Sequence, residues 1–420
     1  MVSTIENLKG IKNENVRLVV RSQSDLLENE NELIESAQFN NFNANLEAWT
    51  AIGTNKELAY ATHGAFRYFG KFPPPIATYL IEKHTQEGDL VWDPMSGSGT
   101  TGVESLLLGR NCILNDVSPL SRLLAKVKTT YIERELMEKA VERVTKEHRP
   151  MSEEEYPLES LSAINVNHWF LPETIASLRG LRFVIDQETN ENIKDFLMVV
   201  FASTVRRVSR ATTQQGRLFL DVKTACEDAI PTFLKRAKIA IEGISCLPPG
   251  NNHLVKIIDH NLVNPLSEEY NESTSLVILH PPYFNSYKYS SVNSLELAWL
   301  GYNHANVRKN EVREFFKVGK PEKVDFYVQD MIDVIKNVKK LLKPHGVIGL
   351  MIGDTIMKGT HIPATKMILE EIEKEGLSIE TIALRVPKYT EATWVASQRR
   401  KSGDVGITLY DYVITLRRVD

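Results

Sequence analysis

The sequence is poor in cysteine and carries no excess of positive charge. Its 420 residues include three cysteines, Cys112, Cys226 and Cys246, which form no C-x-x-C pair, so neither a zinc site nor a disulfide framework is predicted. The formal net charge of −4 excludes a generally basic nucleic-acid binder, and contact with an anionic polymer would require local basic patches. No apolar run reaches membrane-spanning length, and the polar N-terminus lacks a signal-peptide core. We therefore expect a cytoplasmic protein with no membrane segment.

Strand and helix patterns alternate through most of the chain. Short apolar runs predict seven strands, at residues 89–93, 112–116, 253–259, 275–279, 346–352, 379–386 and 407–416. Helical patterns lie between most of them, which is typical of an α/β sheet. We expect the last two strands to pair in the antiparallel direction. Residues 131–252 show helical patterns and no convincing strand. We predict a partly helical N-terminal arm (1–60), an α/β domain (61–130 and 253–420) and a mainly helical inserted subdomain (131–252).

The first predicted strand runs directly into a glycine-rich turn. Asp93 ends the strand, Gly97-Ser98-Gly99 forms the turn, and a helix with apolar Val103 follows. Glycine adopts backbone conformations closed to other residues and leaves room for a ligand, while the first amides of the helix face a polar or anionic group. This arrangement predicts the ligand-binding corner of a doubly wound sheet. A tight packing turn is the simpler alternative.

Acidic residues follow the second and third predicted strands. Asp116 lies 19 residues after Gly97, the distance at which an acid binds ribose hydroxyls in dinucleotide-type folds. The glycine turn lacks the lysine of a phosphate-binding Walker loop, so a nucleoside without a triphosphate fits better. S-adenosylmethionine is such a nucleoside. We predict that its amino-acid tail lies on the glycine turn, its ribose on Asp116 and its adenine amino group on Asp259, for which a plain turn residue is the alternative.

The fourth strand ends in His280-Pro281-Pro282-Tyr283. Two prolines stiffen the backbone at the carboxyl edge of the sheet, beside the predicted cofactor. The Pro281 carbonyl and the His280 side chain would accept hydrogen bonds from an exocyclic amine, and Tyr283 would stack on the base. A Pro-Pro turn that simply closes a strand is the alternative.

Together, these segments resemble the S-adenosylmethionine-dependent DNA amino-methyltransferases of restriction–modification systems, which modify cytosine N4 or adenine N6. The family's Asp-Pro-Phe-x-Gly-Ser-Gly-Thr-Thr stands here as residues 93–101, with Met95 replacing Phe; residues 71–73 and 115–119 resemble its cofactor-covering and ribose-binding segments. The resemblance implies a Rossmann-like methyltransferase sheet and S-adenosyl-L-methionine as cofactor. The implied cofactor-binding residues are Lys71, Phe72, Pro73, Asp93, Met95, Gly97, Gly99, Thr100, Thr101, Asp116 and Ser118.

The family's catalytic tetrapeptide commonly begins with Ser, Asn or Asp, whereas this chain has His280. A neutral imidazole has one ring nitrogen free to accept a hydrogen bond, and a protonated one has none. The following tract, with Tyr289-Ser290 and residues 295–301, resembles cytosine-N4 members. We therefore favour cytosine N4 over adenine N6, a choice that His280 leaves open.

A base inside double-stranded DNA cannot reach such a site, so the resemblance implies that the base is flipped out at a cost that backbone contacts offset. Two basic stretches are candidate DNA contacts, with ordinary solvated loops as the alternative. The candidates are Arg206, Arg207, Arg210 and Arg217 in the first, and Lys388, Trp394, Gln398, Arg399 and Arg400 in the second. The insertion is the favoured target-recognition region, and a separately encoded restriction endonuclease is an implied partner.

Two other functions remain open at this point. Some transfer-RNA enzymes use a similar tetrapeptide, so an RNA base amino-methyltransferase is the first. A catalytically inactive, methyltransferase-like DNA-binding subunit is the second, and the unusual His280 is the feature that keeps it open.

Overall fold

The computed structural model describes residues 14–214, 217–223, 226–284, 289–311, 321–357, 360–386 and 405–419. The α-helices are α1 (Glu28–Ser36), α2 (Pro74–His84), α3 (Thr100–Leu107), α4 (Pro119–Thr129), α5 (Arg134–Glu147), α6 (Val166–Trp169), α7 (Pro172–Asp186), α8 (Glu191–Val208), α9 (Ala229–Ile244), α10 (Tyr289–Val292), α11 (Ser294–Trp299), α12 (His304–Arg308), α13 (Val324–Lys339) and α14 (Ala364–Ile372). The strands are β1 (Arg17–Ser22), β2 (Asn45–Ile52), β3 (Leu90–Asp93), β4 (Asn111–Asn115), β5 (Ala211–Gln214), β6 (Arg217–Leu220), β7 (Val255–Ile258), β8 (Thr274–Leu279), β9 (Leu342–Met357), β10 (Thr360–Ile362), β11 (Leu377–Arg385) and β12 (Val405–Arg418).

One mixed sheet of ten strands carries the fold. Its order is β1-β2-β11-β12-β9-β8-β3-β4-β7, and β10 pairs with β9. The strands β9, β8, β3, β4 and β7 are parallel, whereas β12 is antiparallel to both β9 and β11. The chain winds outward from β3 in both directions, to β4 on one side and to β8 on the other. In open α/β sheets, ligands bind at the carboxyl ends of the strands at such a reversal point.

The α/β, Rossmann-like fold class is confirmed. All seven predicted strands are present, as β3, β4, β7, β8, β9, β11 and β12, and the predicted antiparallel pair is β11 with β12. The predicted strand number is too low, because β1, β2 and β10 enlarge the sheet. Strand β2 pairs in parallel with β11 from Asn45 to Trp49. The segment before residue 60 therefore contributes two strands besides the helix α1.

Residues 131–252 are mainly helical, as predicted, but the expectation of no strand there is wrong. Strands β5 and β6 form an antiparallel hairpin in which Ala211 faces Leu220 and Gln214 faces Arg217. Strand β5 has the polar sequence Ala-Thr-Thr-Gln, and β6 is only four residues long, so neither shows a period-two pattern over enough residues to predict a strand. The helices share one apolar core with α4 and α11, centred on buried residues of α8 such as Phe196 and Phe201.

Candidate active site

The glycine turn after β3 is closely packed. Gly97 and Gly99 have φ values of 49° and 76°, in the left-handed region that favours glycine. A Cβ atom on Gly99 would lie 3.0 Å from the Ala125 Cα atom of α4, and one on Gly97 would lie 3.1 Å from Cε1 of Tyr68. Larger residues would therefore meet a neighbouring element at either position.

Asp116, directly after β4, holds this turn in place. Its Oδ2 accepts a hydrogen bond from the Gly97 N–H at 2.9 Å, and its Oδ1 accepts one from the Ser118 N–H at 2.8 Å. Burial raises the pKa of the Asp116 carboxyl to about 6. Because each carboxylate oxygen has a second lone pair, the side chain can still accept hydrogen bonds from a diol.

Asp93 supports the turn from within the protein. The Thr101 hydroxyl donates to its Oδ2, and the Met95 N–H donates to its Oδ1 at 3.2 Å. Burial raises the pKa of the Asp93 carboxyl to about 7. These two hydrogen bonds, from Thr101 and Met95, hold the backbone of the turn in its conformation.

Two lysines also approach the turn. Lys128 is buried, and its Nζ donates to the Ser98 carbonyl at 2.5 Å. Lys71 donates to the His63 carbonyl at 2.9 Å. Desolvation lowers the pKa of both ammonium groups.

A cavity of about 900 Å³, counting space open to solvent, lies where the turn after β3 meets the segment after β8. This is the reversal point of the sheet. The predicted site residues that line it are Lys71, Phe72, Met95, Gly97, Thr100, Asp116, Ser118, His280 and Pro282. The structure therefore brings most of the predicted cofactor residues together with two residues of the tetrapeptide.

Other predicted residues lie behind the lining or away from it. These are Pro73, Asp93, Gly99, Thr101, Asp259, Pro281 and Tyr283. The Oδ1 atom of Asp259 lies 2.9 Å from a guanidinium nitrogen of Arg122, and its side chain is 60% exposed. The next three residues, His260, Asn261 and Leu262, reach the cavity instead.

Asn115 and Tyr289, which lie in segments that the sequence resemblance covers, also line the cavity, whereas sequence reasoning missed Tyr68, Asn310 and Glu311. Glu311 accepts hydrogen bonds from the Ser290 N–H at 3.0 Å and the Ser290 hydroxyl at 3.1 Å. Burial raises the pKa of its carboxyl. Glu311 follows no motif, so no local signal in the sequence could have predicted its position.

The His280 imidazole begins a chain of hydrogen bonds. Its Nε2 lies 3.1 Å from the Tyr283 hydroxyl oxygen, and this hydroxyl donates to Oδ2 of Asp411 at 2.8 Å. The Arg385 guanidinium donates to both carboxylate oxygens of Asp411, with 2.8 Å between NH2 and Oδ2. Burial lowers the pKa of His280 to about 4, so the imidazole is neutral near pH 7. Sequence reasoning missed Asp411, which lies more than a hundred residues after the tetrapeptide.

The two proline carbonyls differ. The Pro282 carbonyl accepts a hydrogen bond from the Tyr327 hydroxyl at 2.9 Å. The Pro281 carbonyl has no hydrogen-bond partner among the residues that the structure describes. The ring of Phe72 stands edge-on to His280, with 5.4 Å between ring centroids. The neutral imidazole of His280 lies on the cavity wall, whereas the Pro281 carbonyl, which has no described partner, lies behind it.

A second cavity, of about 1110 Å³ counting open space, is rich in arginine. The arginines of its wall are Arg67, Arg206, Arg207, Arg210 and Arg236, and we call it the arginine cavity. Arg206 donates to Glu296 at 2.7 Å, and Arg210 donates to the carbonyls of Asn167 and His168. Arg67 and Arg207 are exposed and make no hydrogen bond or ion pair with any described residue. Their charges are therefore available to an external group.

One segment separates the two cavities. Phe66, Arg67 and Phe69 line the arginine cavity, whereas Tyr68, Gly70, Lys71 and Phe72 line the cavity at the glycine turn. Of the predicted DNA contacts, Arg206, Arg207 and Arg210 lie in the arginine cavity. Arg217 belongs to β6, and Lys388, Trp394, Gln398, Arg399 and Arg400 lie outside the described residues.

Comparison with known proteins agrees with this geometry. A family model described as DNA methylase (N6_N4_Mtase) matches residues 10–126, which include the glycine turn and Asp116. Type II methyltransferase M.MvaI from Kocuria varians is 28% identical over 381 residues, covering 77% of this chain and 83% of that protein. Type II methyltransferase M.BsoBI from Geobacillus stearothermophilus is 28% identical over 280 residues, covering 59% of this chain and 54% of that protein. The chain is therefore similar in sequence to DNA amino-methyltransferases of restriction–modification systems.

Among solved structures, TrmN from Thermus thermophilus is 9% identical with a TM-score of 0.31, covering 83% of this chain and 50% of that one. Within the described residues, no helix is long and apolar enough to cross a membrane. The same residues contain no group of three or more His, Cys, Asp or Glu side chains that could hold a metal ion.

S-adenosyl-L-methionine is the cofactor that the similar proteins indicate, and the residues at the glycine turn fit it. The hydroxyl oxygens of Ser96 and Ser98 are buried at the cavity with no hydrogen-bond partner among the described residues. Buried polar atoms of this kind cost free energy unless a ligand or water meets them. A polar amino-acid tail would satisfy them, and Asp116 would accept from the ribose. The contacts of individual residues with the cofactor stay predictions.

We expect Gly353→Ala in this methyltransferase to lower the rate of methyl transfer by about tenfold or more, because Tyr283 packs directly on the Gly353 backbone. A Cβ atom there would lie 2.9 Å from Cε2 and 3.0 Å from Cδ2 of Tyr283, and overpacking of this kind costs about 1–3 kcal/mol. Turnover and cofactor affinity should be measured together. Loss of turnover with retained affinity is expected, whereas unchanged turnover would show that the ring position is unimportant.

Proposed function

We propose that this enzyme transfers a methyl group from S-adenosyl-L-methionine to the exocyclic amine of a base that is flipped out of double-stranded DNA. Cytosine N4 is favoured over adenine N6. The observation that carries the proposal is the position of His280, which lines the same cavity as the glycine turn and Asp116. A neutral hydrogen-bond acceptor thus stands where a base amine would meet the cofactor.

When bound, the cofactor supplies an electrophilic methyl group on a sulfonium sulfur. His280 and the free Pro281 carbonyl accept the two amine hydrogens, which directs the nitrogen lone pair toward that methyl group. As the amine nitrogen takes the methyl group, the sulfonium sulfur would leave as a neutral thioether, and the proton that the amine loses would pass to the acceptor His280 and on to water. Phe72 and the Pro282 backbone border the same space and exclude water from it.

The choice of cytosine rests on the segment after the tetrapeptide. Tyr289-Ser290 and residues 295–301 resemble cytosine-N4 enzymes, and Tyr289 lines the cavity. Glu311 fixes this segment through two hydrogen bonds to Ser290. A base inside a duplex cannot enter such a cavity, and flipping it out costs a few kcal/mol that DNA contacts must offset.

The arginine cavity is the proposed source of those contacts. Arg67 and Arg207 are exposed, and neither forms an ion pair with a residue that the structure describes. Desolvation lowers the pKa of Arg67, and the neighbouring positive charges of Arg207 and Arg206 lower it further. An anionic partner would relieve this repulsion. Arginine pairs well with phosphate. The segment 66–72 lines both the arginine cavity and the cavity at the glycine turn, so the two spaces are neighbours. The DNA backbone beside the flipped nucleotide fits this position.

Arg67→Gln and Arg207→Gln should each weaken DNA binding and reduce the slope of log K against log[salt] by about one, since each removes one phosphate contact. The matched control is Arg134→Gln, which removes a half-exposed arginine paired with Glu138 on α5. Fluorescence anisotropy between low and physiological salt measures both quantities. Equal slopes in all three variants would place the DNA elsewhere.

One assay tests the function as a whole. The protein is incubated with labelled S-adenosyl-L-methionine and either genomic DNA or RNA, and the modified base is identified by mass spectrometry. N4-methylcytosine in DNA is the expected product. N6-methyladenine would correct the target base, label only in RNA would favour an RNA enzyme, and cofactor binding without label would indicate an inactive subunit. We also propose a separately encoded restriction endonuclease as a partner. Detection of methylated DNA in this assay would justify a test for it.

A further inference from the structure

We propose that His280 accepts the target amine's hydrogen bond through Nδ1, and that Asp411, acting through the Tyr283 hydroxyl, holds His280 in the tautomer that leaves Nδ1 free. This inference rests on the proposed function, because it assigns an atom and a positioning residue to that reaction. The tautomer follows from the number of protons available in the hydrogen bonds that join His280, Tyr283 and Asp411.

The Tyr283 hydroxyl has a single proton and two neighbours. Asp411 lies 2.8 Å away on one side, and Nε2 of His280 lies 3.1 Å away on the other. The Asp411 carboxylate, paired with Arg385, can only accept. Tyr283 must therefore give its proton to Asp411, and its oxygen must accept from His280. It follows that Nε2 of His280 carries the imidazole proton.

A neutral imidazole holds only one ring proton. With that proton on Nε2, Nδ1 is left with an exposed lone pair and no protein partner among the described residues. His280 lines the cavity, whereas Tyr283 and Asp411 lie behind it. The donor end of the ring thus faces the protein, and the acceptor end remains for the substrate. Because Arg385 donates to both oxygens of Asp411, the carboxylate is oriented as the acceptor at the end of the chain of hydrogen bonds.

Replacing Asp411 by Asn should reverse this direction. Arg385 would take the amide oxygen, so the Asn NH₂ group would donate to the Tyr283 oxygen. Tyr283 would then donate its own proton to Nε2 of His280, and the ring proton would move to Nδ1. A protonated Nδ1 cannot accept from an amine. A comparable Asp-to-Asn change in the serine-protease triad leaves the geometry intact and lowers kcat about 10⁴-fold through the wrong tautomer.

The first experiment asks which ring nitrogen matters. The amide oxygen of Asn stands close to the position of Nδ1, and that of Gln close to the position of Nε2. We expect His280→Asn to keep turnover within about tenfold of the unmodified enzyme, and His280→Gln to lose roughly 100-fold or more. The reverse order, or equal losses, would overturn the assignment of Nδ1.

The second experiment tests the positioning role. Asp411→Asn should lower kcat by roughly 100-fold or more with unchanged KM for DNA. Adding Tyr283→Phe to this variant removes the misdirected donor, so the double variant should recover at least part of the lost turnover. A purely structural role predicts that the second change makes the enzyme worse. Absence of recovery would overturn the role of Asp411, and Asp333→Asn on the exposed side of α13 is the matched control.

A third readout needs no turnover. Long-range ¹H–¹⁵N spectra of the ¹⁵N-histidine-labelled protein distinguish the two tautomers, and the His280 signals should show Nε2–H in the unmodified protein and Nδ1–H in Asp411→Asn. An Nδ1–H tautomer in the unmodified protein would refute the inference even if DNA is methylated. Failure of the unmodified enzyme to methylate DNA would refute the proposed function alone.

Discussion

Replacement of His280 by Ala is expected to lower kcat for methyl transfer by roughly 1000-fold, because it removes the acceptor that orients the target amine. Affinity for S-adenosyl-L-methionine should stay within a few-fold of its original value. The imidazole lies at the edge of the cavity, and its hydrogen bond within the described part of the chain goes to Tyr283, away from the glycine turn. Single-turnover rates and calorimetric titration of the cofactor separate the two effects.

The matched control is His345→Asn. His345 is exposed near the start of β9 with a φ of 62°, a backbone conformation that Asn tolerates. This variant should match the unmodified enzyme in both measurements. Normal turnover in His280→Ala would refute the role of His280, and loss of cofactor binding would assign it to the cofactor instead of the base.

Replacement of Asp116 by Ala should raise the Kd for the cofactor by about 100-fold or more. The carboxylate makes two hydrogen bonds to the amides of Gly97 and Ser118 and is the proposed acceptor for the ribose. Hydrogen bonds to a charged group contribute about 1.5–3 kcal/mol each, and 2.7 kcal/mol corresponds to about 100-fold in affinity. Turnover at saturating cofactor should recover substantially, since the chemistry does not use Asp116.

Asp259→Asn provides the comparison for this prediction. Asp259 also follows a strand of the sheet, but its carboxylate is exposed and pairs with Arg122 outside the cavity wall. Its substitution should change the Kd by less than about threefold, since exposed ion pairs contribute about 0–1 kcal/mol. A large loss in Asp259→Asn would show that this side chain turns inward to the adenine, as the sequence pattern predicts.

The sequence predicted the central sheet well for a physical reason. Strands such as β8 are buried on both faces, so they appear as continuous apolar runs that few other structures produce. Strand β2 was missed because it mixes Glu47 and Thr50 with its apolar residues, although Leu46 and Ala48 are buried at a spacing of two. Hairpin β5–β6 was missed because each strand has only four residues, and neither Ala-Thr-Thr-Gln nor Arg-Leu-Phe-Leu shows such a spacing.

The residues of the site also fall into two groups, those that the sequence predicted and those that it did not. Local motifs predicted Gly97, Asp116 and His280, because the geometry that each needs is made by its neighbours in the chain. Glu311 and Asp411 could not be predicted, since their roles depend on where distant segments pack. The exposed position of Asp259 was equally hidden, because spacing alone does not tell on which side of a strand end a side chain leaves the backbone.

The position of β12 has a consequence for the order in which the protein can assemble during synthesis. Strand β12 follows the sheet's other strands in sequence but lies between β9 and β11. Until it has left the ribosome, β1, β2 and β11 have no partner that joins them to the rest of the sheet. Asp411 arrives on the same strand. The nascent chain can therefore form the cofactor cavity early, but it acquires the His280 hydrogen-bond chain only when the sheet closes.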